Sequence, residues 1–257
     1  MKTKPRAIIF SGYGLNCEDE TKAAFEMAGG TADIIHLNDL IARPAILKKA
    51  DVLIVGGGFA YGDDTGAGKA YGNRVRHHLG NEIEQFLQRN TLMIGICNGF
   101  QVLTSAGILP GALIGNDSGR YLCRWVDIEI LGDSPWLKGL SKMSLPIAHG
   151  EGKYYAPAAT LEKLKQENGI ALKYTTGEMC EYFDLPANPN GALDNIAAVS
   201  ARGGRVLGMM PHPERAVSFF QLPHWTYLKE EYVRRNEQLP SEGPGLQLFR
   251  NAVHYFV

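Results

Sequence analysis

The sequence predicts an α/β fold built on a doubly wound, mostly parallel sheet flanked by helices, with an antiparallel extension in its second half. Two observations carry this prediction. Short apolar strands alternate with helical segments over the first hundred residues, and the pattern changes to successive strands after about residue 120. Strand–helix alternation at this spacing is typical of parallel βαβ units. Ligands of such sheets bind beyond the carboxyl ends of the strands, so residues that follow strands are candidates for a site.

Four apolar runs in the first half predict strands, at residues 6–11, 32–37, 51–55 and 92–96. Residues 18–28 predict a helix, because small and apolar residues recur on one face and the pair at 29–30 is Gly-Gly. Residues 40–49 indicate another helix, which Pro44 would break or begin because its ring restricts the backbone. Apolar residues at helical spacing indicate a further helix, namely Leu79, Ile83, Phe86 and Leu87.

The second half predicts strands joined by turns, at residues 121–130, 171–174, 196–200 and 205–210. These strands would extend the sheet and supply its antiparallel section. Residues 225–238 are charged and indicate a helix. A closing helix is indicated by one apolar face, at Leu246, Phe249, Val253 and Phe256. The sequence has no internal repeat, low-complexity tract or linker, so we expect residues 1–257 to form a single domain.

The composition argues against several classes of protein. A net charge of −1 gives no sign of a nucleic-acid or membrane surface. The basic residues 1–6 precede an apolar run of only four residues, which is too short for a signal peptide, and no segment approaches a membrane span. The four cysteines are far apart and form no zinc-like cluster. We therefore expect a cytoplasmic protein with reduced cysteines and no metal site.

The most informative segment is residues 95–99, Gly-Ile-Cys-Asn-Gly, at the end of the strand at 92–96. A helix-compatible segment, 100–106, follows at once. This is the G-x-S-x-G nucleophile elbow with sulfur in place of oxygen, in which small residues flank a sharp turn from strand to helix. The first N–H groups of the helix would favour the Cys97 thiolate. The alternative is a buried core cysteine beside two loop glycines.

A thiolate nucleophile needs a base and a group to orient that base. His212 follows an apolar strand, so it should reach the same edge of the sheet as Cys97. Residues two apart in an extended segment point the same way, so Glu214 can lie near the imidazole and hydrogen-bond one ring nitrogen. A surface turn with a chance His-Pro-Glu is the alternative. The combination with an elbow favours the catalytic interpretation.

Attack on an amide carbonyl creates an oxyanion that needs fixed N–H donors. In an elbow, the residue after the nucleophile supplies one donor, here Asn98. Gly57 and Gly58 are candidates for the second, because glycine permits close approach and unusual dihedral angles. A phosphate loop is the alternative for residues 56–58, but neither the dinucleotide nor the P-loop signature is complete.

Two further residues compete for roles in this site. Cys17 also lies between a strand and a helix, but it lacks flanking glycines, so we interpret it as structural or a bystander. His149 is a rival base for Cys97. Its flexible surroundings, residues 146–152, favour a binding loop rather than a fixed member of a triad.

These motifs together carry a resemblance to a known family. Residues 95–101 and 211–214 resemble the motifs of the class I (triad) glutamine amidotransferases, which have a flavodoxin-like sheet. Other segments narrow the resemblance to the glutaminase part of phosphoribosylformylglycinamidine synthase, an enzyme of purine biosynthesis: 57–63, 116–121, 146–152 and 248–252. The resemblance covers essentially the whole chain.

By this resemblance, Cys97 is the nucleophile, His212 the base and acid, and Glu214 the orienting carboxylate. The resemblance also implies that Gly58 and Asn98 donate to the oxyanion. The same comparison implies that Gln101 helps to hold L-glutamine.

The resemblance also implies partners. Ammonia would pass to a separate ATP-dependent large subunit that converts formylglycinamide ribonucleotide to formylglycinamidine ribonucleotide, and a small accessory subunit is implied as well. ATP and Mg²⁺ are expected on that synthetase, with no cofactor in this chain, which has no recognisable ATP-binding motif.

Three other functions stay open at this point. The chain could serve another acceptor, because the elbow and the His-Pro-Glu segment alone do not specify one. It could be a stand-alone cysteine hydrolase of the same fold, although the pair of His212 and Glu214 argues against this. It could be a non-catalytic binding protein, but intact Cys97, His212 and Glu214 argue against loss of catalysis.

Overall fold

The structure is a computed structural model that describes residues 4–257. Within those residues, the elements in chain order are β1 (Arg6–Ser11), α1 (Glu18–Met27), β2 (Thr31–His36), α2 (Leu37–Ala42), β3 (Val52–Val55), α3 (Lys69–Gln88), β4 (Leu92–Ile96), α4 (Asn98–Ser105), β5 (Ala112–Ile114), β6 (Leu122–Ile130), β7 (Lys142–His149), β8 (Lys153–Tyr155), α5 (Ala158–Gln166), β9 (Ile170–Thr175), α6 (Glu178–Phe183), β10 (Ile196–Ala201), β11 (Val206–Met209), α7 (Trp225–Arg234) and α8 (Leu246–His254).

One mixed sheet runs through the molecule in the order β2-β1-β3-β4-β11-β10-β9-β6-β7. The first five of these strands pair in parallel. The remaining pairs are antiparallel, from β11 and β10 outwards to β6 and β7. Strands β5 and β8 form a separate two-stranded sheet. The predicted parallel sheet with an antiparallel extension is therefore confirmed.

The parallel half is doubly wound. The chain passes from β1 outwards to β2 and then returns across the sheet to β3, so the order reverses between β1 and β3. Right-handed crossovers on either side of such a reversal lie on opposite faces of the sheet. In agreement, α1 packs against α8, whereas α3 packs against α2 and α4. The carboxyl ends at this reversal are the expected location of a ligand site.

The strand register brings four chain segments to one edge. Val55 at the end of β3 pairs with Gly95 in β4, and Met209 at the end of β11 pairs with Ile96. Strands β3, β4 and β11 are buried along their whole length, which explains their continuous apolar sequences. The residues that follow them emerge together at the carboxyl edge, beside the end of β1.

Several elements were not predicted from the sequence. The segment predicted as one helix at 40–49 is instead α2 followed by a 3₁₀ helix, Pro44–Lys49, with the break at Pro44. Strand β7 was missed because Pro146, which cannot donate to a strand ladder, lies within it, opposite Trp125 near the middle of the pairing with β6. Helices α5 and α6 were missed as well. The small strands β5 and β8 are three residues each, too short to give a pattern.

The structure also gives information on membrane-spanning helices and on the pairing of the cysteines. No helix in residues 4–257 is long and apolar enough to cross a membrane. All four cysteines are unpaired, with Cys123 exposed and the other three buried.

Candidate active site

Cys97 occupies a strained turn between β4 and α4. Its backbone has φ 52° and ψ −107°, a conformation that side-chain-bearing residues rarely adopt. Strain of this kind costs on the order of 1–3 kcal/mol and persists only where the surroundings enforce it. Here the surrounding sheet enforces it, since the Cys97 N–H donates to Met209 O at 2.8 Å. The elbow predicted from the sequence is therefore present.

The two glycines of the elbow are required by close backbone packing. A Cβ at Gly99 would lie 1.8 Å from the carbonyl oxygen of Val55, at the end of β3. A Cβ at Gly95 would lie 2.6 Å from the carbonyl oxygen of Gly99. Any larger residue would push α4 away from the sheet. Glycine is thus required at both positions because α4 packs closely against β3 and β4.

His212 and Glu214 form a buried pair directly after β11. The distance between His212 Nδ1 and Glu214 Oε1 is 2.6 Å, and both residues are about 1% exposed. The His212 N–H donates to Pro146 O at 2.8 Å, which fixes the backbone of the histidine against β7. The hydrogen bond to Glu214 orients the ring and leaves Nε2 as the atom available to a nucleophile. Among the residues that the structure describes, His212 Nε2 has no hydrogen-bond partner.

The charges around His212 favour its protonated form. Burial on its own would lower the pKa of His212, but the Glu214 carboxylate, the Cys97 thiolate and the sulfur of Cys17 together raise that pKa well above its ordinary value. The charge of Cys97 thus acts on the imidazole of His212, and the role of the two as nucleophile and base stays a prediction. Cys97 is only 4% exposed, and its Sγ lies 3.5 Å from Ala148 O. Cys97, His212 and Glu214 are thus all buried, an environment that would suit a thiolate–imidazolium pair.

The loop after β3, residues 56–59, carries Gly57 and Gly58, the candidates for the second oxyanion donor, and is called the oxyanion loop below. Gly58 has φ +154°, and a Cβ there would lie 2.5 Å from Gly14 O. The loop is fastened to the end of β1, since Asn16 N donates to Gly57 O at 3.1 Å and Phe59 N donates to Gly14 O at 2.8 Å. These two bonds flank Gly58 and fix its backbone beside the elbow.

The side chain of Asn98 connects this loop to the elbow. Asn98 Oδ1 accepts from Ala60 N at 3.0 Å, and Asn98 Nδ2 donates to Gln101 Oε1 at 2.7 Å. Gln101 Nε2 in turn donates to Glu151 O at 2.6 Å. The predicted oxyanion residue and the predicted substrate residue are therefore linked in one buried network. Their contacts with an oxyanion or with glutamine stay predictions.

His149 does not lie in a flexible loop, so that expectation was wrong. It is the last residue of β7, is 2% exposed, and its Nδ1 lies 3.1 Å from Asn116 Oδ1. Asn116 also donates through Nδ2 to the carbonyl oxygen of His149 at 2.9 Å. Burial, together with the charge of His212, lowers the pKa of His149 to about 4. His149 is thus a fixed, neutral imidazole at neutral pH.

Cys17 is the residue whose place the sequence did not reveal. It is fully buried beside His212, and Arg215 Nη2 donates to its sulfur at 3.0 Å. Cys17, His212 and Glu214 each offer a ligand atom, all within 4.8 Å of one another. The guanidinium of Arg215 carries a permanent positive charge next to that sulfur, and this charge would repel a metal cation bound there. The one available signal was the position of Cys17 after β1, where the strand order reverses.

Comparison with known proteins identifies relatives over the full length. The model of the CobB/CobQ-like glutamine amidotransferase domain matches residues 4–256. The phosphoribosylformylglycinamidine synthase subunit PurQ of Methanococcus maripaludis is 41% identical, with 100% of this chain and 99% of that protein covered. The protein of the same name from Dehalococcoides mccartyi is 38% identical, with 98% of each covered.

A solved structure agrees with these relatives. The structure of PurLQS from Thermotoga maritima matches with a TM-score of 0.75 and 28% identity, covering 99% of this chain and 100% of that one. A structure described as a putative GMP synthase subunit from Thermoplasma acidophilum matches with a TM-score of 0.59 at 13% identity, which shows a shared fold.

The packing of α4 on β3 predicts opposite effects for two glycine substitutions. Gly99→Ala should lower the free energy of unfolding by at least the roughly 1–3 kcal/mol typical of overpacking, because backbone must move. The matched control is Gly80→Ala in the interior of α3, where the new Cβ would have no described atom within 4 Å apart from its chain neighbours and the backbone of its own helix. It should raise the free energy of unfolding by about 0.5–1 kcal/mol. Urea unfolding measures both, and an unchanged Gly99→Ala midpoint would contradict the close packing.

The burial of His149 predicts a specific loss of stability in acid. An unfolded chain binds a proton at this position below a pH of about 6.5, whereas the folded chain does so only below about 4. Stability from this group is therefore full above pH 6.5 and falls by about 3 kcal/mol as the pH drops to 4.

The test compares the wild type with His149→Gln by urea unfolding between pH 7 and pH 4. As the pH falls from 7 to 4, the free energy of unfolding of the wild type should decrease by about 3 kcal/mol more than that of His149→Gln. Exposed His254→Gln is the control and should follow the wild type. Parallel curves for the wild type and His149→Gln would show that His149 is not held neutral.

Proposed function

The chain belongs to the CobB/CobQ-like glutamine amidotransferase family, and we propose that it is the glutaminase subunit of a phosphoribosylformylglycinamidine synthase. In this role it hydrolyses L-glutamine and supplies ammonia to a separate synthetase. The full-length similarity to subunits named PurQ and to the PurLQS structure supports this assignment. The observation that carries the chemistry is the buried cluster of Cys97, His212 and Glu214 at one edge of the sheet.

The proposed reaction begins with activation of Cys97. Its thiol proton passes to His212 Nε2, and Glu214 stabilises the imidazolium through the hydrogen bond at Nδ1. The sulfur then attacks the side-chain carbonyl carbon of glutamine. The carbonyl oxygen becomes an oxyanion, which the N–H groups of Gly58 and Asn98 would stabilise. The site thus holds each new charge next to an opposite charge or a fixed donor.

The remaining steps return the enzyme to its starting state. The imidazolium of His212 gives its proton to the leaving nitrogen, the C–N bond breaks, and ammonia departs with a thioester left on Cys97. His212 then takes a proton from water, whose oxygen attacks the thioester carbon. The carbon–sulfur bond breaks and glutamate leaves, while the imidazolium reprotonates the Cys97 sulfur. Gln101, held by Asn98 and Glu151, would help to position the substrate.

The proposal extends to partners. The acceptor of the ammonia is a large synthetase subunit that uses ATP and Mg²⁺ to convert formylglycinamide ribonucleotide to formylglycinamidine ribonucleotide, together with a small accessory subunit. We propose that residues 1–257 act as a single domain in that complex, without a cofactor of their own. The cysteines are unpaired, which supports a cytoplasmic location in this proposal.

The nucleophile can be identified directly by labelling. Incubation with 6-diazo-5-oxo-L-norleucine, an electrophilic glutamine analogue, should modify one cysteine per chain, located by peptide mass spectrometry at Cys97. Excess glutamine should protect it, Cys97→Ala should abolish labelling, and the control Cys180→Ala should leave it unchanged. Modification at Cys17 instead of Cys97 would overturn the assignment of the nucleophile.

The two buried histidines should differ sharply in their contribution to catalysis. His212→Ala should lower kcat for ammonia release by on the order of 10²–10⁴-fold, since it removes the general base and acid. His149→Gln should have a much smaller effect. Ammonia release is measured on the chain in complex with its synthetase. If His149→Gln were the more damaging change, His149 would be the base.

A further inference from the structure

Cys17 lies where the strand order reverses, and its main chain is bound to the oxyanion loop. The residue follows β1 and immediately precedes α1. Its N–H and that of Asn16 both donate to the carbonyl oxygen of Gly57, at 3.3 and 3.1 Å. The side chain is 0% exposed. A shift at Cys17 would therefore displace the loop that carries Gly58.

The sulfur of Cys17 has a polarised environment. Arg215 Nη2 lies 3.0 Å from it, and because a guanidinium can only donate, the sulfur is the acceptor of this bond. Cys17 Sγ also donates to Asn16 Oδ1 at 3.4 Å. Burial on its own would lower the pKa of Arg215, but Cys17 and Glu214 raise it above its ordinary value. The guanidinium thus fixes the position of this sulfur and places a positive charge next to its lone pairs.

The same sulfur packs against the catalytic imidazole. A Cβ at Gly57 would lie 2.7 Å from His212 Cε1 and 3.0 Å from Cys17 Sγ, so glycine is needed where the ring and the sulfur converge. Cys17 Sγ is within 4.8 Å of a His212 ring nitrogen and of a Glu214 carboxylate oxygen. His212 therefore lies among Glu214, Cys97 and a second thiol.

We propose that Cys17, oriented by Arg215, is a positioning residue for His212: its sulfur stabilises the imidazolium and keeps the ring aligned between Glu214 and Cys97. The inference deepens the proposed function and rests on it. Cys17 does not touch glutamine and forms no covalent intermediate. Its effect acts entirely through His212.

The direction of the expected effect depends on the groups that interact with His212. They are Glu214 after β11, Cys17 before α1, Cys97 before α4, His149 at the end of β7 and Tyr121 before β6. Arg215 contacts Cys17 and adds a positive charge nearby. Removal of the Cys17 sulfur leaves the other groups in place. The imidazolium then loses one stabilising neighbour and releases its proton more easily. Part of that proton returns to Cys97, so the Cys97 thiolate forms at higher pH.

The test uses the pH dependence of Cys97 alkylation by iodoacetamide, followed by mass spectrometry on the whole chain. In Cys17→Ala, the midpoint of this dependence should rise by about half a unit to one unit. Cys17→Ser retains an acceptor for Arg215 and should fall between the alanine variant and the wild type. Cys180→Ala, a buried cysteine in α6, should match the wild type. Thermal unfolding checks that each variant is folded.

Ammonia release in the complex gives the second measurement. Cys17→Ala should lower kcat about tenfold with KM within about twofold, and the alkaline limb of the pH profile should move to lower pH. If the alkylation profiles of Cys17→Ala and Cys180→Ala coincide, Cys17 does not act on His212. Equal losses of kcat in the alanine and serine variants, with unshifted profiles, would show a packing role only and would also overturn the proposal.

These results separate this inference from the proposed function. Alkylation of Cys97 is measured without glutamine, so a wild type that alkylates normally but releases no ammonia would count against the glutaminase assignment alone. A glutaminase with full activity and an unshifted Cys17→Ala profile would count against the role of Cys17 alone.

Discussion

The buried hydrogen bond between His212 and Glu214 is the interaction on which the rest of the site depends. An ionised carboxylate and an imidazole are costly to bury separately, and they are tolerated here because each satisfies the other at 2.6 Å. The bond also fixes the ring, so that Nε2 is available at the carboxyl edge of β11. The roles proposed for Cys97, Gly58 and Cys17 all depend on their positions relative to this ring.

The sheet supplies the rigidity that this arrangement needs. Cys97 holds a strained backbone because β4 lies between two buried parallel strands and α4 packs directly on β3 through Gly99. The oxyanion loop after β3 is fastened on one side to the end of β1 and on the other, through Asn98, to α4. Each residue of the proposed site is thus held by at least two elements, so the site would keep its geometry before a substrate arrives.

Two buried histidines at this edge illustrate how environment assigns chemistry. Burial on its own would lower the pKa of His212, but the Glu214 carboxylate and the sulfur atoms of Cys97 and Cys17 raise it. His149 is held by the neutral side chain of Asn116, and burial together with the charge of His212 lowers its pKa. One ring is therefore suited to carry a proton and the other is suited to stay neutral. The same residue type serves both purposes because only the neighbours differ.

The sequence by itself determined the alternating strands and helices, the elbow at Cys97 and the segment that contains His212 and Glu214. These features are local: apolar runs of strand length, small residues at a turn, and two residues that share one side of an extended segment. Strand β7, the fixed position of His149 and the contact of Cys17 with Arg215 were decided only by the tertiary structure. The positions of His149 and Cys17 depend on partners 33 and 198 residues away along the chain, and no local pattern shows which distant segment will cover a given side chain.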